Sequence, residues 1–347
     1  MANTGTPCGK HASRPLALAS ALFVLTAMAS APGRCGETLP VPVLQGGWWQ
    51  IAPNAPDVGE LRTGEENACD FALFRARDGS WRCIACIRGT KAPGLRVFFQ
   101  WKAAEITDKN WQPVGLLDVE RGQVGRPPRP ASVQAPHPLI WQDKWFLFYN
   151  SAGARCLISD DGIQWKQHAS AGGKTKFFDM GRDVALFRDE PRKRWIAYYC
   201  GTVQGPDGRR GAMVARTAPS LEGPWSPQET PVRTQGNPES PFVLFHEGKH
   251  YLWQQMSVYA SDDPLDFDRA PLVAHMTGLW FNGKYAPEVV HHDGQWYIAG
   301  YSRGIHVARF AWERKSSEEL DSWRAKWKKY LAEEAEKRRE RERLRKP

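Results

Sequence analysis

The chain has 347 residues, 41% of them hydrophobic, and its 16 Trp, 31 Gly and 26 Pro suit a packed core of short strands joined by many turns. The formal charge of +9 hints at a polyanion, but residues 313–347 alone supply +4, and the rest contains no basic run. That distribution argues against nucleic-acid binding. At the N-terminus Lys10, His11 and Arg14 precede an apolar run from Leu16 to Met28, followed by the small-residue sites Ala27-Met28-Ala29 and Ala29-Ser30-Ala31. This is the pattern of an export signal over residues 1–31. The run is too short for a comfortable span of about 20 residues, and its competing reading is an uncleaved anchor. Arg34 directly before Cys35 argues against a lipoprotein site, and no later stretch is long and apolar enough to cross a bilayer. The expected location is periplasmic or extracellular.

Removal of the signal leaves Cys35, Cys69, Cys83, Cys86, Cys156 and Cys200, too few for a disulfide scaffold at this length, although one or two bridges could form after export. Cys83 and Cys86 fall in "WRCIACIRG", which reads as a strand, so the two thiols point to opposite faces and suit neither zinc nor a redox pair. They are read as core thiols.

A polar residue, a short apolar strand, a charged or Gly turn and a strand opened by an aromatic then recur five times. The copies are "CDFALFRARDGSWRCIAC", "PHPLIWQDKWFLFYN", "RDVALFRDEPRKRWIAYYC", "PESPFVLFHEGKHYLWQ" and "APEVVHHDGQWYIAGYS". Their leading residues are Asp70, His137, Asp183, Glu239 and Glu288; their aromatics are Trp81, Trp145, Trp195, Tyr251 and Trp296, spaced by 64, 50, 56 and 45 residues. Rear halves such as "ARCLISDDGIQW" and "VYASDDPLDF" complete each unit. A period of this order with this content predicts a five-bladed β-propeller over residues 45–312, in an otherwise all-β chain. The recurrent aromatics are assigned to the cores between blades. Trp48, Trp49, Trp101, Trp141 and Trp280 fall outside that slot and are candidates for sugar stacking, with packing as the default for each.

In a propeller the first strand of each blade lines the central channel, so the five leading residues should converge on one pocket. A ring of Asp, His, Asp, Glu and Glu is not what packing selects, because its carboxylates repel. The competing reading is a set of solvated blade ends, with Arg182 present to neutralise them. Acidic groups in a partly desolvated pocket split their pKa values, leaving one protonated and another ionised. Glycosidic cleavage needs that pairing: an acid for the leaving oxygen and a carboxylate on the opposite face.

Asp70 in the first unit, Arg182-Asp183 of "GRDV" in the third and Glu239 of "NPESPFV" in the fourth resemble the five-bladed propeller glycoside hydrolases of families 43 and 62 and the invertase-like family 32. The resemblance implies that Asp70 is the general base or nucleophile, Glu239 the general acid, and Asp183 the carboxylate that orients sugar and tunes Glu239. His137, Arg182 and Glu288 would be pocket residues, and Arg303 in "YSRGIHV" a substrate-binding residue or a solvated turn. "NACDF" lacks the Asp-Pro of either subgroup, and Ser240 stands where the invertase group has Cys. Family 43 implies inversion with arabinosyl or xylosyl substrates, and family 32 implies retention with fructosyl ones. No cofactor is required; some members carry calcium in the channel, to which His306 could contribute, a satisfied strand histidine being its other reading. A carbohydrate-binding propeller without turnover is the alternative, and a phosphorolytic relative would have only Arg182 and Arg303 to hold phosphate.

After Trp312 the period changes. Ser316 and Glu319 form a capping box, and Leu320, Trp323, Trp327 and Leu331 share a helical face expected to dock on the propeller. Residues 313–347 are therefore read as a short C-terminal α-helix with a charged tail, "EKRRERERLRKP", solvated and frayed beyond Ala335.

Overall fold

The computed structural model describes residues 38–92, 94, 96–119, 123–124, 133–277 and 283–344. Residues 1–31, read from the sequence as an export signal, and Trp280 lie outside the described residues.

The first described strand belongs to the last blade. Strand β1 (Leu39–Ala52) contains Pro40 and Pro42, which an outermost strand tolerates because one side of it makes no ladder. Blade one follows with β2 (Asn67–Arg75), β3 (Trp81–Arg88), β4 (Arg96–Ala103), β5 (Gln112–Asp118) and a short β6 (Gln123–Val124). Blade two is β7 (Gln134–Trp141), β8 (Lys144–Asn150), β9 (Ala154–Ser159) and β10 (Lys166–His168). Blade three is β11 (Arg182–Asp189), β12 (Arg194–Gly205), β13 (Gly208–Ala218) and β14 (Thr230–Arg233). Blade four is β15 (Pro241–His246), β16 (Lys249–Gln254), β17 (Ser257–Ser261) and β18 (Leu272–His275). Blade five is β19 (Tyr285–His292), β20 (Gln295–Tyr301) and β21 (Ile305–Lys315), completed by β1 in the antiparallel register Leu39↔Lys315 to Ala52↔Ile305. The strands thus extend a few residues beyond 45–312 at both ends, because pairing β1 to β21 closes the ring.

The inner strands β2, β7, β11, β15 and β19 touch one another in ring order around the channel. Each blade is covered on both faces by its neighbours, so its second strand reads as a continuous apolar run rather than an alternation. β3 shows this: Trp81 through Ile87 are all buried, with Cys83 in the core shared with blade five and Cys86 in the core shared with blade two. Similar clusters fill the spaces between blades two and three, three and four, and four and five. The recurrent aromatics sit in these spaces, and Trp145 also latches blades together by donating Nε1–H to the Arg75 carbonyl at 2.8 Å. Cys69, Cys83, Cys86, Cys156 and Cys200 are free and buried.

Helix α1 (Ser317–Leu344) starts on the capping box: Ser316 N–H donates to Glu319 Oε2 at 2.8 Å, and Glu319 N–H to Ser316 Oγ at 3.2 Å. Leu320 and Trp327 are buried and Trp327 stacks on His275, but Leu331 is exposed, so docking stops a turn earlier than the four-residue face predicts. The helix itself is longer than expected. It continues to Leu344, with Lys337 paired to Glu334 at 2.8 Å along its polar length.

Candidate active site

The inner strands lose register near one end, and this irregularity builds the site. In β2, Cys69 pairs with Cys86 and Phe71 with Ala85, leaving Asp70 as an extra residue. In β11, Arg182 pairs with Cys200 and Ala185 with Tyr198; β7 and β19 shift alike between Gln134 and His137 and between Tyr285 and Glu288. Ala135, Asp183, Ser240 and Ala286 occupy corresponding places with φ of 45°, 60°, 45° and 50°, in the left-handed region. A bulge bends its strand and re-aims a side chain. Asp70 and Asp183 are the two carboxylates carried on this level.

The five leading residues therefore do not form one ring, as the sequence alignment of hairpins implies. Glu239 stands one residue before the bulge position of its blade, in the slot that Arg182 holds in blade three. His137 and Glu288 stand two residues after it, deeper in the channel. A bulge inserts a residue without altering local composition, so hairpin patterns aligned by polarity slip against one another.

Arg182 donates from Nη2 to Glu239 Oε2 and to the Pro238 carbonyl at 3.2 Å, and from Nε to Glu239 Oε1 at 3.3 Å. Its Nε also lies 3.4 Å from Asp183 Oδ2, which accepts Ser240 N–H at 3.2 Å and Cys200 S–H at 3.4 Å. Below this, Asp70, His137, Asp183, Ser240 and Glu288 line a cavity of about 30 Å³, room for a water molecule. His137 Nδ1 approaches Glu288 Oε1 at 3.6 Å. Asp183, Glu288 and His137 are each at most 7% exposed, which rules out solvated blade ends for these three.

The electrostatics follow from burial. Desolvation, then the charges of Asp70 and Glu239, push Asp183 up to about 7 against the pull of Ser240 N–H and Arg182. Desolvation and then Glu239 raise Asp70, opposed by Arg88 and Arg96. Burial raises Glu288, with His137 opposing. The charge of Asp70 is among the causes that raise Asp183, so the two carboxyls stand near enough for the charge on one to strengthen proton binding at the other.

Arg303 is not drawn into this set. It is exposed in the turn between β20 and β21, on the same face, where its carbonyl accepts a bond from Gln50 Nε2 at 3.2 Å. His306 is satisfied locally, Nδ1–H donating to the Gly304 carbonyl at 3.2 Å. Among the described residues, no group of three or more His, Cys, Asp or Glu is arranged to hold a metal ion. Trp101 is buried between blades one and five, while Trp48, Trp49 and Trp141 are half-buried and pack against cores. Sequence reasoning missed Arg88, Arg96 and Tyr301, all of which act on the Asp70 end of the site. Their signal was positional: each ends or opens a strand at the end of the sheet where Asp70 lies.

No family model matches the sequence, and no curated protein matches it. Solved structures share its fold. The α-L-arabinofuranosidase from Podospora anserina, in complex with cellotriose, superposes with a TM-score of 0.54 at 10% identity, covering 76% of this chain and 96% of that one. An exo-1,5-α-L-arabinanase from a bovine ruminal metagenomic library gives 0.47 at 14% identity over 76% and 95% of the two chains. The family 32 β-fructofuranosidase of Bombyx mori gives 0.49 at 13% identity over 72% and 57%. The chain is a five-bladed β-propeller.

Proposed function

We propose that this propeller is an exported glycoside hydrolase acting on arabinosyl, xylosyl or fructosyl bonds of poly- or oligosaccharides. The observation that carries the reading is the meeting of three carboxylates from three blades at one channel mouth, two of them with raised proton affinity. The fold likeness to an arabinofuranosidase and the signal-like residues 1–31 support it. Glu239 is the general acid, protonating the leaving oxygen, and Asp70 removes a proton from the attacking water or attacks the sugar itself. Asp183 holds the sugar and, by its charge, tunes both partners. Arg182 keeps Glu239 in place until a substrate hydroxyl takes over one of its bonds, while His137 and Glu288 floor the pocket.

A carbohydrate-binding propeller without turnover is the second reading, and the Arg182 grip on both Glu239 oxygens favours it, since oxygens engaged by a guanidinium are not free to meet a leaving oxygen. One experiment separates the two. Wild-type protein is screened against aryl furanosides, xylosides and natural glycans with chromatography of products, and Glu239→Gln is compared on the substrates found. The variant is expected to lose about 10²–10⁴-fold on the natural glycan and much less on an activated aryl glycoside, whose leaving group needs little protonation. Binding by calorimetry with no product from any substrate selects the binding module instead.

A further inference from the structure

Arg88 ends β3 and Arg96 opens β4, and the two are direct cross-strand partners. Like charges placed opposite one another weaken a ladder, so the pair calls for a reason. Asp70 is not a sufficient one, because it stays high in proton affinity despite both guanidinium groups. Among the described residues neither arginine has a carboxylate within ion-pair range, and the side-chain bond seen is Arg88 Nε–H to Asn67 Oδ1 at 2.9 Å. Both are half-buried at the rim. Across the mouth, β12 and β13 continue five residue pairs beyond Cys200, the partner of Arg182, to Gly205↔Gly208. At the rise of a strand this arm stands roughly 15 Å above the site. It exposes Arg209 and Arg210, with Asp207 at its tip, and its base is pressed on blade four: a Cβ on Gly211 would lie 2.9 Å from Pro238 Cγ. Arg88 and Arg96 thus stand at one wall of the mouth, and Arg209 and Arg210 are carried on the arm of another, Arg209 Nη2 donating to Thr202 Oγ1 at 2.7 Å.

We propose that the glycan received at this mouth carries an anionic substituent, a carboxylate or a sulfate ester, held by the planar forks of Arg88 and Arg96 beside Asp70. The turnover part of this inference rests on the glycosidase reading. Such forks bind carboxylate and sulfate oxygens through charge-assisted bonds, and the Arg209–Arg210 arm extends the same preference along a polymer.

The test compares neutral, uronate-bearing and sulfated oligosaccharides of matched length on the full chain and on Arg88→Gln and Arg96→Gln, with melting temperatures as the folding control. Wild type is expected to favour one anionic set over the neutral set by at least about ten-fold in kcat/KM. Each variant should lose about 10–100-fold on that set, mostly in KM, the loss on the neutral set being at least about ten-fold smaller. The set preferred distinguishes carboxylate from sulfate. Should a Gln variant fail to fold, Arg96→Lys, which keeps charge without the fork, is expected to fall between wild type and Gln. Equal losses on neutral and anionic sets, or no preference in wild type, overturn the proposal and leave the glycosidase reading standing. Tighter calorimetric binding of anionic than neutral oligosaccharides, lost in the variants but without product, keeps the proposal and removes the glycosidase.

Discussion

The two ends of the channel are made by the same five strands and have little else in common. At the mouth the strands bulge, left-handed backbone angles recur, and Asp70, Arg182, Asp183 and Glu239 crowd together. Beyond the bulge, two-residue alternation resumes, and Leu73, Leu139, Ile140, Leu186, Phe242 and Val289 line a lower vestibule of about 340 Å³. His137 and Glu288 border both chambers. The regular part of each strand buries apolar surface and stabilises the fold, whereas the irregular part costs stability in desolvated, mutually repelling carboxyls. The proposed chemistry sits where the ladder fails, because there the bulged strands bring Asp70 and Asp183 together from different blades.

The largest expected effect pits one position from each end against the other. Asp70→Asn should lower turnover by about 10²–10⁴-fold on natural and aryl glycosides alike, since base or nucleophile is needed whatever leaves, and should not lower thermal stability. Leu186→Ala, 6% exposed between blades two and three, should lose about 2–5 kcal/mol of stability and keep its kcat per folded molecule. Unfolding curves and active-site-normalised rates measure both. An Asp70 variant that melts early, or a Leu186 variant that folds but does not turn over, would dissolve the distinction between the ends.

The two ends were also unequally legible in the sequence. Five hairpins and their aromatics announced the propeller because each is local, spanning a strand, a turn and a strand. β1 was not legible, because "LPVPVLQGGWWQIA" finds its partner at the opposite end of the chain and nothing near it says so. Asp70, Asp183 and Glu239 could be named because a carboxylate heading a buried strand is anomalous on any face. Their depth could not, since Ala135-Pro136 and Ala286-Pro287 look like ordinary strand leads until the register shift shows them opposite a single residue. Arg88 and Arg96 were passed over for a related reason: a charge at a strand end is unremarkable until its cross-strand partner is known to be another arginine.

An intermediate effect tests whether the mouth does cost stability. Asp183 releases its proton near 3.8 when unfolded and near 7 when folded, so the folded state binds the extra proton between those values. The stability this contributes is complete below about pH 4 and is lost as pH rises through about 7. Asp183→Asn has no such proton to lose, and its Oδ1 can still accept Ser240 N–H. The variant should therefore melt close to wild type at pH 4 and several degrees higher at pH 8, an advantage of about 4 kcal/mol. Melting curves that stay parallel across this range would remove the burial cost assigned to the mouth.

The smallest effect marks where the mouth ends. Arg303 shares the face but is exposed in an outer turn, and among the described residues its side chain reaches none of the three carboxylates. An exposed charge acting through water contributes about 0–1 kcal/mol, so Arg303→Ala should raise KM by no more than about five-fold and leave kcat unchanged. Because such a contribution is screened by salt, even that difference should shrink as ionic strength rises. Arg182→Ala is the informative contrast: it removes the clamp on Glu239 and the nearest positive charge from Asp183 together, so its effect should appear in kcat and should persist in salt. Similar losses at the two arginines would extend the working site out to the β20–β21 turn; a large loss at Arg182 beside a small, salt-sensitive one at Arg303 confines it to the inner strands.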